Sequence, residues 1–141
     1  MPPVVDSPSC YISNGPTAEP NSSITHWSTL ESIHSTNHIT AVFEASTKNE
    51  EGTTSYTLNE DNYENKHTFT SSKVAVDAVL TGVDVLLAGE VDKVYALVRP
   101  PGHHSHRDLV SGFCFFNNVA IAADKFVKAG KRVMIVDWDI H

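Results

Sequence analysis

The chain has 141 residues, 40% of them apolar, and a formal net charge of −7. That length suits one ordinary domain rather than two. No run of 18 or more apolar residues is present to span a membrane, and the acidic balance makes nucleic acid a poor direct partner, though it would attract basic partners such as lysine-rich tails.

The opening residues, "MPPVVDSPSCYISNGPTAEPNSS", lack a basic segment followed by an apolar one, so no signal peptide is expected, and cytosol or nucleus is the expected compartment. Rich in Pro, Ser, Asn and Gly, residues 1–25 read as a disordered leader. Leu30, Ile33, Ile39, Val42 and Phe43 then follow a roughly helical spacing, and Ser35 or Thr36 would cap a short helix running to about Ala45. Residues 47–66 are polar around Gly52 and read as a long loop. Next comes the strongest helix signal in the chain. Val76, Val79, Val83 and Leu86 keep the 3.6-residue period beside Ala75, Ala78 and Leu87, with Thr68 or Thr70 as N-cap and Gly89 as stop. Its apolar face is wide, so cover from more than one side is expected.

"VYALV" (94–98) reads as a buried strand ended by Pro100 and Pro101. "NNVAIAADKFVKAG" reads as a helix capped by Asn117 or Asn118 and stopped by Gly130, and "RVMIVDW" as a second buried strand. Strand, loop, helix and strand make a βαβ unit, so the expected class is α/β with helices covering a parallel sheet. The two cysteines, Cys10 and Cys114, lie in unlike contexts and suggest no disulfide, and Cys114 reads as a small buried hydrophobe.

The chemistry gathers at the strand ends. Residues two apart in a strand share a face, so Asp137, Asp139 and His141 would project together if the strand geometry persists. In open α/β sheets ligands bind at that carboxyl end. Neighbouring strands would bring His103 and His104 to the same crevice. Oxygen and nitrogen donors of this kind suit Zn²⁺ or another divalent transition metal. An Asp at a strand end also caps helices, and a His pair in a loop is commonly just solvated; the joint placement is what points to a metal-dependent hydrolase. His106, Arg107 and Asp108 read as solvated loop surface, and His26, His34, His38 and His67 as surface or packing residues. In "SGFCFF", Phe115 and Phe116 suit packing at the helix entry, while Phe113 suits the lining of an apolar channel.

Taken together, "RPPGHHS", "SGFCFFNNVAIAA" and "VDWDIH" resemble the zinc-dependent histone deacetylase family in its class II branch. The resemblance runs from about Thr25 to His141 and includes "DNYENKHTF". It implies the arginase–deacetylase fold, a three-layer α-β-α arrangement about a mainly parallel sheet, incomplete in this chain. It implies hydrolysis of the acetyl-lysine amide in histones or other proteins, with Asp139 and His141 as zinc ligands and His104 as general base and acid. His103 would be its electrostatic companion, bonded to Asp137, and Gly112 and Phe113 would form part of the channel for the lysine stem. Acetylated histone tails and a corepressor complex are the implied partners, and nucleus or cytoplasm the implied location.

The family continues beyond the match to His141 with a further His, a Gly-rich loop, a third Asp ligand and a Tyr or His for the oxyanion. No equivalent of its first strand or its His-Pro-Glu loop is found, and Ser105 replaces its usual Ala. Residues 26–141 are therefore expected to be part of a catalytic domain, inactive alone, with apolar surface and a strand edge left open. The alternatives are a non-catalytic interaction form and a deacetylase of a small amide such as an acetylpolyamine.

Overall fold

The computed structural model describes residues 9–13 and 25–141. Its elements are strand β1 (Ser9–Ser13), helix α1 (Trp27–Leu30), helix α2 (Thr36–Thr47), helix α3 (Thr68–Leu87), strand β2 (Lys93–Leu97) and helix α4 (Asn118–Lys128). The strands pair in parallel, from Ser9 opposite Lys93 to Ser13 opposite Leu97. The α/β class therefore holds, with helices packed on a two-stranded parallel sheet.

Three expectations about the strands change. A strand stands at 9–13, inside the stretch read as a disordered leader and where no first strand was expected; residues 1–8 and 14–24 of that stretch lie outside the described residues. Its apolar content is too brief to show a period, and its partner is remote in sequence. Second, β2 is not buried on both faces. Val94 and Ala96 are half-buried, whereas Tyr95 and Leu97 are 61% and 56% exposed. Third, residues 131–141 form no strand, because no neighbouring chain is hydrogen-bonded alongside them. All are exposed, Met134, Trp138 and Ile140 most of all. The open apolar surface expected from the sequence is present here.

The helices end where the residues direct. Ser35 Oγ accepts the His38 N–H at 3.2 Å and starts α2. Asn117 Oδ1 accepts the Ala120 N–H at 3.0 Å and starts α4. Helix α3 differs from expectation: its N-cap is His67, without a side-chain bond, and the Thr68 hydroxyl instead accepts the Asn65 N–H at 2.9 Å. At its other end Gly89 adopts a φ of +70°, and Gly89 and Glu90 donate back to Leu86 and Val85, the closing pattern that a left-handed residue permits.

The core forms where α2, α3, α4 and the 105–117 loop meet. Leu30, Ile39, Val42, Val76, Phe116 and Ile121 are each at most 1% exposed. Helix α3 is covered by α4, both strands and α2, as its wide apolar face requires. The 47–66 loop is pinned by paired 2.8 Å backbone bonds between Ser55 and Glu64. The buried Glu64 carboxylate accepts the Thr57 N–H at 2.6 Å and the Thr57 hydroxyl. Among the described residues, no helix is long and apolar enough to cross a membrane.

Candidate active site

The loop from Val98 to Asn117 leaves the end of β2 and returns to the start of α4. Gly102 is what lets it pass: a Cβ there would lie 2.5 Å from the Asn118 nitrogen and 2.6 Å from the Phe116 oxygen. With no side chain in the way, the backbone before His103 runs directly against the entry to α4. Asn118 Nδ2 fastens it by donating to the Pro100 oxygen at 3.3 Å, and Ser105 N–H donates back to Gly102 at 3.1 Å.

The rest of the loop has no regular structure, so its buried carbonyls need other partners. Side chains supply most of them. Asn117 Nδ2 donates to Ser105 O at 3.0 Å, and Asn59 Nδ2 to Val110 O at 2.7 Å. Asn62 Nδ2 donates to Cys114 O at 3.1 Å. Phe115 O receives both Ser105 Oγ at 2.9 Å and His38 Nε2 at 2.7 Å. His34 Nδ1 lies 2.9 Å from His106 O. Ser105 and Cys114 are buried, and burial pushes the Cys114 thiol up, consistent with a packing role.

On this platform the two loop histidines stand with ring centroids 4.1 Å apart. His103 Nδ1 donates to Asp137 Oδ2 at 2.8 Å, and its Nε2 lies 3.5 Å from Asp139 Oδ2. The bond from His103, helped by the Asp139 N–H, holds the Asp137 carboxyl below the usual carboxylate range. Gly112 lies behind His104, with a φ of +50° and no room for a Cβ, which would come within 2.4 Å of His104 Cδ2.

Asp137 and Asp139 do not sit on a strand face. Asp137 Oδ1 accepts the Asp139 N–H at 3.1 Å, and Asp139 Oδ1 accepts the His141 N–H at 3.2 Å. Such short-range carboxylate-to-backbone bonds offer the chain an alternative to strand geometry. They leave Oδ2 of each carboxylate facing His103.

Of the sequence-expected site residues, His103, His104, Asp137 and Asp139 therefore converge. One imidazole nitrogen from each histidine and an Asp139 oxygen lie within 4.8 Å of one another, a nitrogen and oxygen donor set that suits a divalent transition metal. His141 is not part of that group; its backbone, rather than its ring, is tied to Asp139. Phe113 is 55% exposed, with a φ of +65°. It borders a cavity of about 480 Å³ shared with Tyr63, Thr68, Arg99, Pro101 and Phe115. The histidine pair does not line that cavity, so Gly112 and Phe113 face different surroundings.

Sequence reasoning placed His34 and His38 among surface or packing residues. Both are buried, and both bond the loop that carries the site, whereas His26 and His67 are exposed. His34 precedes the Ser35 N-cap and His38 lies in the first turn of α2, and no local pattern in the sequence marked either as a support for the loop.

A histone deacetylase domain matches residues 13–141. The chain is 51% identical over 81 residues to the polyamine deacetylase HDAC10 of Rattus norvegicus, covering 56% of this chain and 14% of that protein. It is 34% identical over 119 residues to histone deacetylase 5 of Arabidopsis thaliana, covering 79% of this chain and 18% of that one. The crystal structure of the HDA15 HD domain superposes with a TM-score of 0.76 at 34% identity, covering 86% of this chain and 33% of that one. The chain thus spans less than a fifth of these two curated relatives and a third of the solved domain.

Proposed function

The chain belongs to the histone deacetylase family and carries part of its arginase–deacetylase fold; from that premise we propose that it forms one wall of a zinc-dependent site for hydrolysing the acetyl-lysine amide in histones or other proteins. The observation that carries the reading is the convergence of His103, His104, Asp137 and Asp139 beyond the end of β2. The three-layer arrangement around a larger sheet and the remaining site residues are proposed for the whole protein.

Asp139 is the first proposed ligand: its Oδ1 accepts the His141 N–H, and its Oδ2 faces the histidine pair. His141, on the same turn, is the second proposed ligand, with the remainder of the set supplied by the whole protein. Bound zinc would supply Lewis-acid polarisation of the amide carbonyl. His104 acts as general base toward the attacking water and then as general acid toward the departing lysine amine. His103 stands beside it, oriented through Nδ1 by Asp137, as a carboxylate orients an imidazole in metal sites. Phe113, with Gly112, is proposed to line the path of the lysine stem, which needs apolar walls and no counter-charge because the acetyl amide is neutral. Acetylated histone tails, other acetylated proteins and a corepressor complex are the proposed partners, in nucleus or cytoplasm.

A second reading has its own support: the relative at 51% identity is named a polyamine deacetylase. One experiment addresses both. The full-length gene product is purified, its zinc is measured by mass spectrometry, and acetate release is followed from an acetyl-lysine peptide and from an N-acetylpolyamine. About one zinc per chain with peptide turnover is the expected result. Preference for the polyamine moves the substrate assignment, and absence of both zinc and turnover removes the hydrolase reading in favour of a non-catalytic interaction form.

A further inference from the structure

The proposed chemistry makes no use of His34 or His38, yet both rings are buried behind the site loop, 0% and 5% exposed. They stack at 4.6 Å, nearly parallel at 16°, with the Phe116 ring 5.5 Å from one and 5.9 Å from the other. His34 is bonded on both sides. Its Nδ1 faces His106 O at 2.9 Å, and its Nε2 receives the Asn117 N–H at 2.9 Å. A carbonyl only accepts and an amide N–H only donates, so the proton is on Nδ1 and Nε2 carries none. His38 donates from Nε2 to Phe115 O at 2.7 Å.

These three bonds grip the loop at both of its ends, residue 106 on one side and residues 115 and 117 on the other. Between them lies Gly112, whose backbone is the back wall of the His104 ring. A displacement of either end moves that wall. At these depths each bond that is lost leaves a buried carbonyl or N–H without its protein partner.

We infer that His34 and His38 are positioning residues of the active site, a stacked pair that fixes the 106–117 loop and thereby the orientation of His104. They touch neither the proposed substrate nor the proposed metal. The inference rests on the reading of His103 and His104 as the reacting groups, and it assigns a task to two histidines that otherwise serve only as core.

The test uses the full-length protein with His34→Leu, His38→Leu and His38→Gln. Glutamine can still donate from its terminal amide to Phe115 O; leucine cannot. Each leucine variant is expected to lose about 100-fold in kcat with KM unchanged, as a small misplacement of a catalytic group does. His38→Gln is expected to restore most of that loss. Nitrogen-15 spectra of the imidazoles supply the second readout: His34 should be protonated on Nδ1 alone at neutral pH, and the His104 signals should shift in His38→Leu but not in His38→Gln. A folded His38→Leu protein with wild-type kcat and unshifted His104 signals overturns the inference. So does a His34 ring protonated on Nε2 in the wild type, which decides the matter even if the leucine variants do not fold. Should the wild type turn over neither acetylated substrate, the hydrolase reading fails, and the spectra alone judge the positioning.

Discussion

Replacing Gly112 with alanine puts the geometry of the site under direct load. The added Cβ would stand 2.4 Å from His104 Cδ2, 2.8 Å from Cγ and 3.1 Å from Cβ. Non-bonded carbons prefer about 3.5–4.0 Å, so the ring must retreat by about 1 Å. One face of His104 already meets the His103 ring at 4.1 Å, and a retreat in that direction presses on the 2.8 Å bond from His103 to Asp137. Displacement of a reacting group by about 1 Å costs on the order of 100-fold in rate. The positive φ at Gly112 adds about 1–2 kcal/mol of backbone penalty for any residue with a Cβ. Gly89→Ala is the control. Its φ of +70° imposes a comparable backbone cost, but a Cβ there meets nothing within 4 Å. Steady-state deacetylation by the full-length protein, with thermal unfolding in parallel, should show both variants losing stability and only Gly112→Ala losing kcat. A folded Gly112→Ala protein with wild-type kcat would show that the loop yields instead of His104, and the argument from steric support would fail.

Three further outcomes are expected. Asp137→Asn, which removes the carboxylate facing His103 Nδ1, should lower kcat by about 10- to 100-fold with little change in unfolding midpoint, because Asp137 is exposed and acts by orienting the ring; equal activity in the two proteins would exclude that role. Burial, aided by the neighbouring His38, lowers the His34 pKa from 6.5 to about 4. The unfolded chain therefore takes up this proton first as pH falls, so the contribution is complete above about pH 6.5 and lost progressively toward pH 4, up to about 3 kcal/mol. Urea unfolding followed through this range should show stability rising with pH, and should show a shallower rise in His34→Leu. Phe116→Ala should destabilise by about 3–5 kcal/mol, since the ring is 1% exposed and packs on His34, His38 and Phe69; a loss under about 1 kcal/mol in chemical denaturation would mean the cavity had collapsed.

The helices were the legible part of this fold, because their signals are local. Ser35, Asn117, Gly89 and Gly130 act on residues within one turn, and they cap or stop α2, α3 and α4 as their chemistry suggests. The N-terminus of α3 misled because Thr68, a good cap by type, spends its hydroxyl on Asn65. Strands depend on partners that the local sequence does not contain. "SCYIS" becomes a strand only beside β2, and "RVMIVDW" stays without ladder bonds despite its apolar run. In the site, the residue types and approximate placement of His103, His104, Asp137 and Asp139 were readable. The means of convergence was not: alternation suggested a shared strand face, whereas each carboxylate turns the chain by capturing an N–H two residues ahead. The support behind the loop was hidden for a related reason, because bonds such as His34 to Asn117 join residues remote in sequence.

The pairing of Ser9–Ser13 with Lys93–Leu97 also sets an order of events at the ribosome. Ser9 lies opposite Lys93, so about 80 residues must be made after the first strand before its partner exists. At about 5–20 residues per second, that is several seconds of waiting for an apolar-containing segment with an unfilled hydrogen-bonding edge. Helix α3, complete in itself, forms in microseconds during that interval and lies against both strands once the sheet closes. The nascent chain thus has a ready surface on which a late, long-range strand pair can assemble, and the seconds before β2 emerges are when a chaperone would have most to protect.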